Sequence, residues 1–280
     1  MKVAIVGSGI SALAVAHGLA DKAALSVFEA ADYFGGHTHT VDVRLPGPHG
    51  EISHGVDTGF LVFNERTYPN LIRLFAELGV ETSPSDMSFS VQASAANGRH
   101  IEWSGNDLGG VFAQKRNLLS PRFLGMLRDL TRFNALTRQI AEAGIESQLQ
   151  QPLHDFLERN HFGDAFRNWY FLPMIACIWS CPKEQMLRFP VATMIRFCHN
   201  HGLNQISNRP QWHTVKGGAR HYVDKILARV ADKRLRTPVR AIHRHAAGVT
   251  VVTDHGEERF DRVVIATHST KVCGSSSQQQ

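Results

Sequence analysis

The most constraining feature of this chain is a glycine turn that begins six residues after its start. Lys2-Val3-Ala4-Ile5-Val6 is an apolar run that reads as a buried strand, followed by Gly7-Ser8-Gly9-Ile10-Ser11-Ala12, a G-x-G-x-x-A turn. Leu13 to Ala20 is rich in Ala and Leu, as a helix requires, and a second apolar run, Leu25 to Phe28, ends at Glu29. Strand, glycine turn, helix, strand and acid in this order form the context in which a glycine pattern points to a dinucleotide. Gly7 permits the tight turn, Gly9 lets backbone approach a pyrophosphate, and a small residue at Ala12 lets the helix pack on the strand. The helix N-terminus offers free N–H groups and the positive end of its dipole. Glu29 is placed to accept from ribose hydroxyls, and an acid there disfavours a 2′-phosphate, so NADP is a poor fit. The plain alternative is an ordinary glycine turn in another α/β protein.

The residues after the acid separate FAD from NAD. Glu29-Ala30-Ala31-Asp32-Tyr33-Phe34-Gly35-Gly36-His37-Thr38 resembles the E-A-x-x-x-x-G-G extension of the flavin-dependent amine oxidase superfamily. That superfamily includes monoamine oxidases, protoporphyrinogen oxidases and phytoene desaturases. The run from Gly35 to Thr40 is most similar to its bacterial-type "predicted NAD/FAD-binding protein" branch, although His37 stands where many members carry Arg. The resemblance implies an α/β fold: a Rossmann-like FAD-binding domain with a largely helical substrate or cap domain inserted. It also implies cofactor contacts from Gly7, Ser8, Gly9, Ile10, Ser11, Ala12, Glu29, Ala30, Gly35, Gly36, His37 and Thr38. A Val56-Asp57-Thr58-Gly59-Phe60 segment similar to one that passes the flavin ring adds Thr58, Gly59 and Phe60. Without the resemblance, the same segment reads equally well as a hairpin strand and a tight turn. The resemblance further implies that Val239 holds the adenine through its backbone, and that Trp179 and His201 face a substrate pocket. The implied reaction is hydride removal from an amine or an alkyl, lipid-like substrate to flavin N5, with dioxygen or another acceptor reoxidising the flavin. Two other classes share the N-terminal motif: a non-catalytic or remnant dinucleotide-binding protein, and an NAD-dependent dehydrogenase that would not need Gly35 and Gly36.

Composition excludes little. The hydrophobic share of 43% and the charged share of 20% are those of an ordinary globular protein. The start of the chain imitates a signal peptide, with Lys2, an apolar run and Ala14-Val15-Ala16, but Gly7 and Gly9 interrupt the run. The expected location is the cytoplasm. Cys177, Cys181, Cys198 and Cys273 do not make a disulfide framework, and Cys177 and Cys181, four apart, are expected to be buried thiols sharing a helix face. The His37/His39 and His199/His201 pairs lack a second ligand pair, so no metal is expected.

Along the chain, Thr40–Arg44 and Ile52–Val56 read as a hairpin, and Tyr68–Gly79 as a helix with Gly79 as its stop. Ser88–Gln92 and Ile101–Trp103 read as a second hairpin about Asn97-Gly98. Ser120-Pro121 opens a helix whose apolar stripe is expected to run through Leu119, Phe123, Leu127, Leu130, Phe133 and Ile140. Its region is basic: six Lys and Arg residues between Phe112 and Gln139 face a single acid, Asp129. The bland reading is a solvated face; the sharper one is contact with an anionic membrane surface. No motif accompanies it that would recruit nucleic acid. Trp169 to Trp179 is core, and Leu235 to Ile242 reads as one strand. The expected domains are residues 1–65 with 215–269 for FAD, 66–214 for substrate, and a disordered polar tail, 270–280. In the resembling superfamily a later Gly-Asp segment also meets the cofactor. A chain without it is expected to hold FAD weakly, to show low or absent oxidase activity, and to aggregate or recruit a partner through the apolar surface left exposed.

Overall fold

Alternation within Lys2–Val6 decides how the first sheet is covered, because successive side chains point to opposite faces. The computed structural model describes residues 1–94, 98, 100–105, 107–145, 149–179, 181–204 and 210–268. They fall into two compact units: Met1–Phe63, Tyr68–Ser85 and His213–Gln280 form one, Asn64–Thr67 and Asp86–Trp212 the other. The expected tail, 270–280, lies outside the described residues.

In the first unit, β1 (Lys2–Val6), the helix α1 (Ile10–Leu19) and β2 (Ala24–Phe28) make a βαβ start. A four-stranded parallel sheet has the order Asp232–Arg234, β2, β1, Arg262–Ile265. Val3 and Ile5 join Ala12, Leu13 and Ala16 of α1, Phe75, and Tyr222, Val223 and Ile226 of the helix Arg220–Leu227 in one buried cluster. Ala4 and Phe28 instead join Val251 and Phe260 of the three-stranded antiparallel sheet Val239–His245, Gly248–Thr253, Gly256–Phe260. Both faces are therefore apolar, as a covered parallel sheet requires.

Two expectations are corrected here. The helix Pro69–Leu78 and the strand Thr82–Ser85 belong to the first unit, not to the segment 66–214. Phe75 of that helix is buried against Tyr222 with ring centres 5.2 Å apart, a long-range contact that periodicity does not reveal. Gly79 does stop it, in the left-handed conformation at φ 59°. Likewise Leu235–Ile242 is not one strand. Pro238 cannot donate to a ladder, Arg236 has φ 50°, and the chain breaks between Asp232–Arg234 and Val239–His245.

The first hairpin is longer than expected: β3 (Thr40–Gly47) pairs with β4 (Gly50–Asp57). Val41 lies opposite Val56 and Leu45 opposite Ile52, all exposed, so one face of this ribbon is apolar and uncovered among the described residues.

The second unit is largely helical and opens with the hairpin Ser90–Ser94 and His100–Ser104. Its longest helix, Pro121–Glu142, is capped by the Ser120 hydroxyl, which accepts from Phe123 N at 3.3 Å. Phe123, Met126 and Phe133 are buried with Phe156, Phe166, Phe171 and Ile175. Leu119 was expected on this stripe but is 89% exposed: it precedes the cap, in the 3-10 turn Lys115–Leu119, whose inward residue is Asn117. The basic side chains are partly engaged. Arg132 pairs with buried Asp129 at 3.2 Å and lies over Phe162, Arg122 lies over Trp169, and Arg138 pairs with Glu142. Cys177 and Cys181 share no helix face. The helix Leu172–Trp179 ends before Cys181, whose neighbour Pro182 disfavours helix in the residue it follows. Cys177 is exposed and Cys181 half-buried, contrary to the expected buried pair. No helix among the described residues is long and apolar enough to cross a membrane.

Candidate functional site

The glycine turn between β1 and α1 is constrained differently at its two glycines. Gly7 has φ 98°, and a Cβ there would lie 2.7 Å from the Ala266 carbonyl oxygen, so only glycine fits. Its N–H donates to Phe28 O at 2.8 Å, which holds the turn over the end of β2. Gly9 has the ordinary extended values φ −67° and ψ 179°, and a Cβ built on it meets nothing within 4 Å. Gly9 is the N-cap of α1; no side chain caps this end and no acid stands in its first turn. The N–H groups of Ile10, Ser11 and Ala12 thus begin a helix that presents a positive dipole end beside open space.

Ser8 closes this turn against the acid and the second glycine pair. Its buried hydroxyl donates to Glu29 Oε2 at 2.5 Å and accepts from Gly35 N at 3.1 Å. The other Glu29 oxygen accepts from Ala31 N at 2.9 Å, so the carboxylate is oriented before any ligand arrives. Gly36, at φ 59°, backs the turn directly: a Cβ there would stand 3.2 Å from Gly9 Cα. Glu29 and Ala31 are also tied to the loop before Val239. Glu29 N donates to Arg234 O, Thr237 N to Glu29 O and Arg236 N to Ala31 O, all at 2.8–2.9 Å.

A third segment joins through backbone contact. A Cβ on Gly59 would lie 2.3 Å from His37 O, and Phe60 N donates to that same oxygen at 2.9 Å. Thr58 N donates to His39 O at 2.9 Å. The Thr38 side chain turns inward: it is buried and shares a short hydrogen bond with the Tyr222 hydroxyl. Burial pushes the Tyr222 phenol above its ordinary range, and the bond from Thr38 opposes that only in part. Asp57, between the hairpin and Gly59, receives Thr40 Oγ1 and Ala219 N, fixing the start of the helix Arg220–Leu227.

The structure therefore brings Gly7–Ala12, Glu29–Ala30, Gly35–Thr38 and Thr58–Phe60 into one cradle of the first unit. Val239 lies just beyond it, half-buried, with its side chain in the Phe28 cluster. Trp179 and His201 belong to the second unit, where they are joined through Phe197. Trp179 lies 4.5 Å from Phe197, Phe197 stacks on His201 at 4.0 Å, and His201 stacks on Trp212 at 6.4 Å. Sequence reasoning missed Phe197, Tyr222 and Asp57, and gave Ser8 no bridging role. Partners that far apart in the chain leave no periodic signal; only the acid after V in the Val56–Phe60 segment marked one of them.

FAD fits this cradle. There is open space over Gly9, the start of α1 is uncapped, and the Glu29 carboxylate is held in one orientation, as a pyrophosphate and a ribose require. Comparison with known proteins agrees. The family profile of flavin containing amine oxidoreductases matches residues 10–272. AofH of Mycobacterium tuberculosis, named as a flavin-containing monoamine oxidase, is 26% identical over 278 residues, 94% of this chain and 56% of its own length. Cyclohexylamine oxidase of Brevibacterium oxydans shares the fold at a TM-score of 0.64 with 23% identity, over 95% of this chain and 57% of its own. Putrescine oxidase bound to putrescine does so at 0.63 with 19% identity, over 98% and 60%. The chain thus spans little more than half the length of these relatives.

Proposed function

The chain belongs to the flavin-containing amine oxidoreductase family, and from that premise we propose that it binds FAD across its two glycine turns and serves the oxidation of an amine. One observation carries the reading: Ser8 joins Glu29 and Gly35 while Gly36 backs Gly9, so the acid and both glycine turns form a single binding surface. An NAD site needs Gly7, Gly9 and Glu29 but has no use for the second pair. When bound, FAD supplies a hydride acceptor, and dioxygen or another acceptor then takes the electrons. The protein's own part is binding and placement. The N–H groups at the start of α1 would hold the pyrophosphate, Glu29 would orient the ribose, and backbone at Thr58–Phe60 and His37 would lie toward the ring. Val239 borders the adenine end. In the second unit, the row formed by Trp179, Phe197 and His201 offers π surface suited to an amine with an apolar body. An amine is favoured over a plain alkyl chain because the matched oxidases are named for amines.

The test has two stages. The purified chain is titrated with FAD, followed by fluorescence quenching, and the complex is mixed anaerobically with putrescine, cyclohexylamine and benzylamine. Saturable FAD binding and amine-dependent loss of the flavin absorption band are expected. FAD binding without bleaching by any amine would favour the non-catalytic reading. No FAD binding, with NAD binding instead, would overturn the proposal.

A further inference from the structure

We propose that residues 108–124 form a docking surface for an anionic phospholipid bilayer. Four leucines of this segment stand in water: Leu108 is 78% exposed, Leu118 50%, Leu119 89% and Leu124 43%. Local packing forces them outward. Phe112 packs on buried Phe123 with ring centres 6.0 Å apart, and Asn117 is buried, which leaves its neighbours Leu118 and Leu119 on the outside. Exposed leucines concentrated in one short stretch mark a surface that meets an apolar partner.

Charge identifies the partner. Lys115, Arg116 and Arg122 are exposed within the segment, and the Arg128 side chain, one helical turn beyond Leu124, is 77% exposed. The segment holds no acid; Asp107, just before it, is occupied in capping Gly110 N at 2.7 Å, and Asp129 beyond it is buried, paired with Arg132 at 3.2 Å and with Arg128 at 3.7 Å. Leucines interleaved with cations suit a bilayer interface. The side chains of the first enter the acyl boundary while the second rest among negative headgroups. The surface takes in only the first turns of the long helix; Arg132 and Arg138, further along it, are engaged by Asp129, Phe162 and Glu142 within the second unit. It does not depend on the assignment of FAD or of amines.

The test is sedimentation of the whole chain with vesicles of phosphatidylglycerol and phosphatidylcholine, and with phosphatidylcholine alone. Binding is expected to the anionic vesicles, weakening as salt shortens the reach of charge. L118S/L119S is expected to lower partitioning about 10- to 100-fold by removing apolar insertion. K115E/R128E is expected to lower it by a similar factor, while K22E/R244E, with the same charge change in the first unit, leaves it unchanged. Circular dichroism and the thermal midpoint establish that each variant is folded. Equal binding to neutral and anionic vesicles overturns the proposal, as does equal loss in the K22E/R244E control. Absence of vesicle binding together with self-association that L118S/L119S abolishes assigns the leucines to contact between copies and also overturns it.

Discussion

Alanine at Gly7 and alanine at Gly9 are expected to fail in opposite ways. At Gly7 the new methyl stands 2.7 Å from Ala266 O, in a conformation with φ 98°. Ala266 cannot slide aside, since its N–H donates to Val6 O at 2.8 Å within the parallel sheet. Conformational strain of about 1–2 kcal/mol and overpacking of about 1–3 kcal/mol together give a destabilisation of about 2–5 kcal/mol. At Gly9 the backbone already lies where alanine is comfortable, and the methyl meets nothing within 4 Å. Fold stability should change by no more than about 0.5 kcal/mol, the loss of glycine at an N-cap. The methyl does fill the space through which a pyrophosphate reaches the backbone, so FAD should bind ~10- to 100-fold more weakly, equivalent to ~1.4–2.8 kcal/mol. Urea denaturation of the apoprotein and FAD titration measure the two quantities separately. Wild-type FAD affinity in Gly9→Ala would refute the approach over Gly9. Wild-type stability in Gly7→Ala would refute the packing argument at the sheet end.

Ser8→Ala removes both the hydroxyl that orients Glu29 and the acceptor for buried Gly35 N; FAD affinity should fall and stability drop by about 1–3 kcal/mol, read by the same titration and denaturation. Arg234 grips both Asp232 oxygens and Glu258, and lies over Phe28. Arg234→Gln should cost about 1–2 kcal/mol after allowing for its partly solvated side chain, with a lower urea midpoint as the readout. Hydrogen bonds from Arg234 hold the Asp232 and Glu258 carboxyls below their ordinary values of 3.8 and 4.5. Folded values depressed below unfolded ones give stability that is present above pH 4.5 and lost as pH falls below 3.8, so the variant should show a flatter acid limb in a pH series of melting curves. Tyr222→Phe deletes the partner of buried Thr38 and should cost about 1–3 kcal/mol. The raised phenol also makes wild-type stability decline as pH rises beyond the ordinary tyrosine value of 10, and the variant should lose that part of the alkaline decline.

What the sequence determined by itself was local. The G-x-G-x-x-A turn, the strand before it, Glu29 after it, the Gly79 stop and the Ser120-Pro121 start each depend on a few adjacent residues whose backbone geometry or capping chemistry admits little else. Periodicity found most of the apolar face of Pro121–Glu142 but misplaced Leu119, because the helical register starts only after the Ser120 cap that follows it. Only the tertiary structure decided which distant segments meet. Ser8 reaches Gly35, Gly59 presses on the His37 backbone, Thr38 finds Tyr222, and Phe75 brings its helix into the first unit. These contacts are chosen by packing between elements, where many pairings have similar local cost and burial of the whole surface selects among them. The break at Pro238 has the same origin. Backbone bonds from Arg236 and Thr237 to Ala31 and Glu29 outweigh the strand propensity of Leu235–Ile242, and so bind the loop before Val239 to the acid of the first motif.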